Sequence, residues 1–139
     1  MEKKETYFNL YRQVAKLKNS DDPKKKYEYI LWLGKKLKVP DNNILIQKNK
    51  VQGCVSDVFV KASLHEGKLF WEGYSDALIT KGLLAFLING LNDLTPKQVI
   101  NINKRFIEDT GLKASLTPSR SNGFLNILLK MQSQANTFL

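Results

Sequence analysis

Only one stretch of this chain of 139 residues alternates apolar and polar side chains at period two, and it lies between segments of helical period on either side. Val58, Val60, Ala62 and Leu64 alternate with Asp57, Phe59, Lys61 and Ser63, which predicts a strand with one apolar face. After the short turn His65-Glu66-Gly67, Leu69, Trp71 and Gly73 alternate with Lys68, Phe70 and Glu72. The two runs read as an antiparallel hairpin, and a shorter strand near Lys48 to Val51 would make a three-stranded meander. A sheet this small must bury its apolar face under helices. The chain is therefore expected to be one α+β domain over residues 1–139, a three-stranded antiparallel β-meander packed by N- and C-terminal helices.

The flanking segments supply those helices. Tyr7, Leu10, Tyr11, Val14 and Leu17 recur on one helical face within residues 5–18. Asp22 followed by Pro23 predicts a second helix start, with Tyr27, Ile30, Leu31, Gly34 and Leu37 inward and an end near Lys38. Beyond the hairpin, Ser75 is placed as N-cap of a third helix with Asp76 in its first turn, and Ile79, Gly82, Leu83, Phe86 and Leu87 form its buried face. Thr95-Pro96-Lys97-Gln98 is a capping box opening a fourth helix to about Glu108, and Gly111 ends that region. Thr117-Pro118-Ser119 opens a last helix that buries Phe124, Ile127, Leu128 and Met131.

Composition narrows the function. No apolar run approaches the roughly 18–20 residues that span a bilayer. The N-terminus lacks the apolar core of a signal peptide, which predicts a cytoplasmic protein with no membrane partner. One cysteine and one histidine exclude an internal disulfide and most zinc sites, so neither a metal nor a cofactor is expected. The formal charge of +9 is concentrated in residues 1–50, which hold 13 Lys or Arg against 6 Asp or Glu. Nineteen of the 22 cations are lysines, whereas base-edge and phosphate recognition favour the arginine fork. A solvated surface, or a docking face for an acidic protein, fits this charge better than nucleic acid does. Salt-sensitive DNA or RNA binding remains the signature of the competing class.

Chemistry has few candidate bearers. Cys54 lies in Val51-Gln52-Gly53-Cys54-Val55-Ser56, where Gly53 permits a tight turn that projects the thiol. Lys48 and Lys50 stand close enough in sequence to favour a thiolate, while Val51 and Val55 can tuck the loop against the core. A small buried hydrophobe is the plainer reading of a lone cysteine. Arg120 falls in the first turn of the last helix, where the dipole disfavours a cation. His65 sits in the hairpin turn, so a small thiol enzyme built on Cys54 would need a base brought to it by folding.

Taken together the segments resemble the SufE family, the Fe–S metabolism associated domain, over about residues 5–135. The resemblance rests on Lys26-Tyr27-Glu28-Tyr29-Ile30 with Leu33-Gly34, Val51-Gln52-Gly53-Cys54-Val55-Ser56-Asp57-Val58, Gly73-Tyr74-Ser75-Asp76-Ala77, Lys81-Gly82-Leu83, Leu94-Thr95-Pro96 and Leu116-Thr117-Pro118-Ser119-Arg120-Ser121-Asn122-Gly123. It implies a sulfur carrier, not itself an enzyme, with a meander fold shared with the scaffold IscU. Cys54 would accept persulfide sulfur from a cysteine desulfurase, a pyridoxal-phosphate enzyme, stimulate it, and pass the sulfur to an iron–sulfur scaffold complex. The family's docking residues map onto Asp76 and Arg120, and Gln52, Gly53 and Ser56 support the cysteine loop. Tyr74 stands where the family usually has an Asp, and Phe59 where it usually has a Trp.

Overall fold

Side-chain caps begin three of the six α-helices in the computed structural model, which describes residues 5–139. The order is α1 (Phe8–Lys18), α2 (Pro23–Lys36), β1 (Val58–His65), β2 (Lys68–Ser75), α3 (Leu78–Leu91), α4 (Pro96–Ile100), α5 (Phe106–Asp109) and α6 (Pro118–Asn136). Asp22 accepts the Lys24 N–H at 3.0 Å to begin α2, and Thr95 and Gln98 close a reciprocal capping box on α4. Thr117 accepts the Arg120 N–H at 3.3 Å to begin α6, with Pro118 in its first turn.

Two helix assignments need correction. Ser75 is the last residue of β2, and the N-cap of α3 is Ala77, so Asp76 precedes the helix instead of occupying its first turn. The expected fourth helix splits into α4 and α5. Asn103 accepts the Arg105 N–H at 3.0 Å, a local bond that competes with helix continuation. From α6, Gln132 donates to the carbonyls of Val99, Ile100 and Ile102, taking up acceptors that the break releases. Minor differences of burial accompany these: Tyr27 and Leu64 are exposed, and Leu33 joins Ile30 in the face of α2 that is buried.

α3 is apolar around most of its circumference because it is the central helix, packed by α1, α2, α6 and β2. The approach of α2 is close enough to need Gly82: a Cβ there would stand 2.0 Å from the Ile30 carbonyl oxygen. Phe86 of α3 meets Phe124 of α6 edge to face, centroids 5.8 Å apart, which locks the last helix onto the core.

The sheet has two strands among the described residues, not three. β1 and β2 pair antiparallel from Val58 opposite Ser75 to His65 opposite Lys68. Glu66 and Gly67, both at positive φ, make the two-residue turn. The segment expected as a further strand, Lys48 to Val51, instead begins within a 3-10 turn at Gln47–Asn49, which follows another at Asn42–Ile44 and is held to it by the buried Asn49 amide on the Ile44 carbonyl at 3.0 Å. Its backbone pairs with β1 through a bridge from Lys50 to Phe59, with the Val51 N–H on the Val58 carbonyl at 2.8 Å. Pairing stops there because the Gln134 side chain of α6 takes the next two ladder groups. Its oxygen accepts from Ala62 N–H at 2.9 Å and its nitrogen donates to the Val60 carbonyl at 2.7 Å. Across the sheet, Asn92 accepts from Trp71 N–H at 2.9 Å, and Leu69 bridges Leu94. Both edges are thus closed by side-chain amides and single bridges, which blocks edge-to-edge association.

Candidate functional site

Cys54 sits in the loop that joins Val51 to β1, and the loop lies along one face of α6. That face repeats at residues 120, 123, 126, 130 and 134, the spacing of neighbours on a helix. Lys130 donates to the Lys48 carbonyl at 2.8 Å, and Asn126 donates to the Gly53 carbonyl at 3.1 Å. The Cys54 thiol donates to the Gly123 carbonyl, sulfur to oxygen 3.7 Å. Arg120 Nη1 donates to Ser56 Oγ and, at 2.8 Å, to Thr80 Oγ1 on α3. Gln134 completes the series on β1. One helix therefore holds the whole segment from Lys48 to Ala62.

One glycine makes the fit possible. Gly53 has φ +80°, a region that side-chain-bearing residues rarely adopt, and a Cβ there would stand 2.6 Å from Asn126 Nδ2. At Gly123 a Cβ would make only an ordinary contact with the Cys54 sulfur, at 3.5 Å, and as glycine it leaves the thiol beside bare backbone.

Cys54 is partly buried and packs against the core, and this burial pushes its thiol pKa up, with the nearby Arg120 cation pulling it back only in part. The neutral thiol is also the form that donates to the Gly123 carbonyl. The cation near the sulfur is Arg120, not the lysines expected from sequence: Lys50 pairs with Asp57 at 3.4 Å. Val51 is buried, as anticipated, whereas Val55 is 74% exposed and does not tuck under the loop. Gln52 is exposed.

Asp76 marks the far end of the loop. Its carboxylate accepts the Asp57 N–H at 3.1 Å, and its own N–H donates to the Asp57 carbonyl at 3.3 Å. Asp76 and Arg120 thus bracket the segment from Cys54 to Asp57, one fixing its backbone and the other its Ser56 hydroxyl. His65 lies at the hairpin end against Phe70, centroids 6.4 Å apart. Sequence reasoning missed Thr80, Asn126, Lys130 and Gln134. The spacing of the last three along α6 was visible, but nothing in it named the loop that would lie there. No group of three or more His, Cys, Asp or Glu poised for a metal occurs among the described residues. No helix among them is long and apolar enough to cross a membrane.

Comparison with known proteins agrees with this architecture. The SufE profile, described as an Fe–S metabolism associated domain, matches residues 12–135. An uncharacterised SufE-like protein of Synechocystis is 51% identical over 130 residues, covering 94% of this chain and 82% of that protein. The chloroplastic/mitochondrial SufE-like protein 1 of Arabidopsis thaliana is 40% identical over 126 residues, 89% of this chain but 34% of its own length. The cysteine desulfuration protein SufE of Plasmodium falciparum is 34% identical over 117 residues, 81% of this chain and 47% of that protein. In fold, a solution structure of a hypothetical protein from Thermus thermophilus matches with TM-score 0.79 at 23% identity, over 93% of this chain and 94% of that one. With a family profile spanning nearly its whole length, the chain belongs to the SufE family of the Fe–S metabolism associated domain.

Proposed function

We propose that this protein is a sulfur carrier that takes persulfide sulfur from a cysteine desulfurase onto Cys54 and delivers it to iron–sulfur cluster assembly. The observation that carries the reading is the lone thiol at the tip of a glycine turn, beside one arginine and bare helix backbone. The Plasmodium relative's name, cysteine desulfuration protein, supports the same chemistry.

The step is an exchange at sulfur. The Cys54 thiolate attacks the outer sulfur of a persulfide on the partner's cysteine. A new sulfur–sulfur bond forms on Cys54 as the partner's bond breaks, and the partner's cysteine leaves as thiolate. The proton that Cys54 gave up is returned to that leaving thiolate or to water. No net oxidation occurs, so the step needs neither a metal nor an electron acceptor. What it needs is access, because the thiol donating to Gly123 is the unreactive form. Docking at Asp76 and Arg120 would free Ser56 and release the loop toward the partner's sulfur, with the partner's preference for the released form supplying the free energy.

The test is Cys54→Ser, a nearly isosteric change at a partly buried position. The variant is expected to keep its thermal midpoint and to lose all stimulation of a cysteine desulfurase assayed with free cysteine. Stimulation equal to that of the wild type would overturn the carrier reading.

A further inference from the structure

The outer surface of α1 and α2 carries a feature that shares no residue with the Cys54 site. These two helices hold eight Lys or Arg, three on α1 and five on α2, against one acid, Glu28. Their cations do not stand alone. The Arg12 guanidinium lies over the Phe8 ring, 5.7 Å from its centroid. The charge of Arg12 is also felt across the helix gap at Tyr29, where burial raises the phenol pKa and Arg12 opposes that rise. Tyr29 stacks on Trp32, centroids 5.8 Å apart, and Lys36 Nζ stands 4.1 Å over the Trp32 ring. Phe8 with Arg12 on α1, and Tyr29 with Trp32 and Lys36 on α2, are thus two ring-and-cation groups, taken together here as a ladder of two parts. Phe8 and Trp32 are largely exposed, Trp32 at 47%.

Exposed aromatic side chains set among cations are costly to leave in water and are typical of interface anchors. We propose that this ladder is a docking surface for an acidic protein segment whose apolar side chains meet the ring edges while its carboxylates meet the cations. Charge complementarity argues for it, since seven of the eight cations are lysines, whose compact ammonium groups pair with single carboxylates. Single-stranded nucleic acid fits less well. Base stacking needs open ring faces, whereas here Tyr29 and Lys36 already stand against the Trp32 ring and Arg12 against that of Phe8.

The experiment uses the full chain and a fluorescein-labelled, tryptophan-free helical peptide of about 14 residues, glutamates on one face and leucines on the other. Binding is read by peptide anisotropy and by the emission of Trp32, the exposed one of the two tryptophans, Trp71 being buried. Saturable binding with a blue-shifted emission is expected. Trp32→Ala and Lys36→Glu, both at exposed positions and checked for folding by circular dichroism, should each weaken it about tenfold. Lys113→Glu, an exposed lysine outside the ladder, should change it less than about twofold. The proposal is overturned by no binding, by Lys113→Glu weakening binding as much as Lys36→Glu, or by single-stranded oligothymidylate of matched charge binding more tightly than the peptide.

Discussion

At the scale of single residues the site is a contest over one proton. Burial favours the neutral Cys54 thiol, its hydrogen bond to Gly123 favours it too, and the Arg120 cation favours the thiolate. Burial wins, so the folded-state pKa lies above the ordinary thiol range of about 8.5. The consequence for reactivity follows in sign: at neutral pH the thiolate fraction is below that of a free cysteine and grows only as pH rises through the raised pKa. The rate of iodoacetamide alkylation, followed against pH, is expected to have its midpoint above that of the unfolded chain. Arg120→Gln removes the opposing cation and should move the midpoint higher still. A midpoint at or below that of the unfolded chain, or a downward move in Arg120→Gln, contradicts this balance. The same residue answers a puzzle of the sequence. A cation in the first turn of α6 breaks a local rule, and its reason is the pair of hydroxyls, Ser56 and Thr80, that its guanidinium joins.

α6 is the element that turns a loop into a site. Its residues 120, 123, 126 and 130 hold the cysteine segment by one contact per turn, and Gln134 then caps the sheet edge. Asn126→Ala deletes the bond to the Gly53 carbonyl, a contribution of about 1 kcal/mol or roughly fivefold in the open population. Thiol labelling of Cys54 in the free protein should accelerate by a similar factor, while the thermal midpoint moves little. An unchanged labelling rate would show that Asn126 plays no part in holding the loop. Where α2 crosses α3 the tolerance is smaller. Gly82→Ala places a methyl against the Ile30 backbone, and unfolding in urea should show a loss of about 3 kcal/mol, the upper part of the overpacking range. A loss below about 1 kcal/mol would mean that the two helices separate easily, against the close fit described.

How much of these elements the sequence disclosed depended on whether the deciding contact was local. The hairpin, the Asp22, Thr95 and Thr117 caps and the buried face of α6 are written within a few residues each, and all appear in the structure. The third strand failed because its competitor is distant: Gln134, more than 70 residues away, occupies the ladder groups of Val60 and Ala62. The fourth helix failed differently: the Asn103 side chain accepts the Arg105 N–H, a local competitor the helical pattern masked, and Gln132 then takes the carbonyls at the break. In the site, Cys54 and Arg120 stood out by being a sole thiol and a misplaced cation. Asn126 and Lys130 have no such mark, since their function is positional and appears only once α6 lies against the loop.

For the whole molecule, charge and chemistry are segregated. α1 and α2 hold eight Lys or Arg against one Glu, whereas the thiol lies where α6, the start of α3 and the loop before β1 converge. The core built on α3 supports that convergence, and the loop is held against it by hydrogen bonds from α6. The central claim is that sulfur comes to rest on Cys54. It is tested by incubating the protein with a cysteine desulfurase and free cysteine, separating the two proteins without reductant, and weighing the intact chain and its peptides by mass spectrometry. The account predicts a gain equal to one sulfur atom, confined to the peptide that contains Cys54, removed by dithiothreitol and absent from Cys54→Ser. An unmodified Cys54, under conditions in which the desulfurase itself carries a persulfide and turns over faster in the protein's presence, would contradict it.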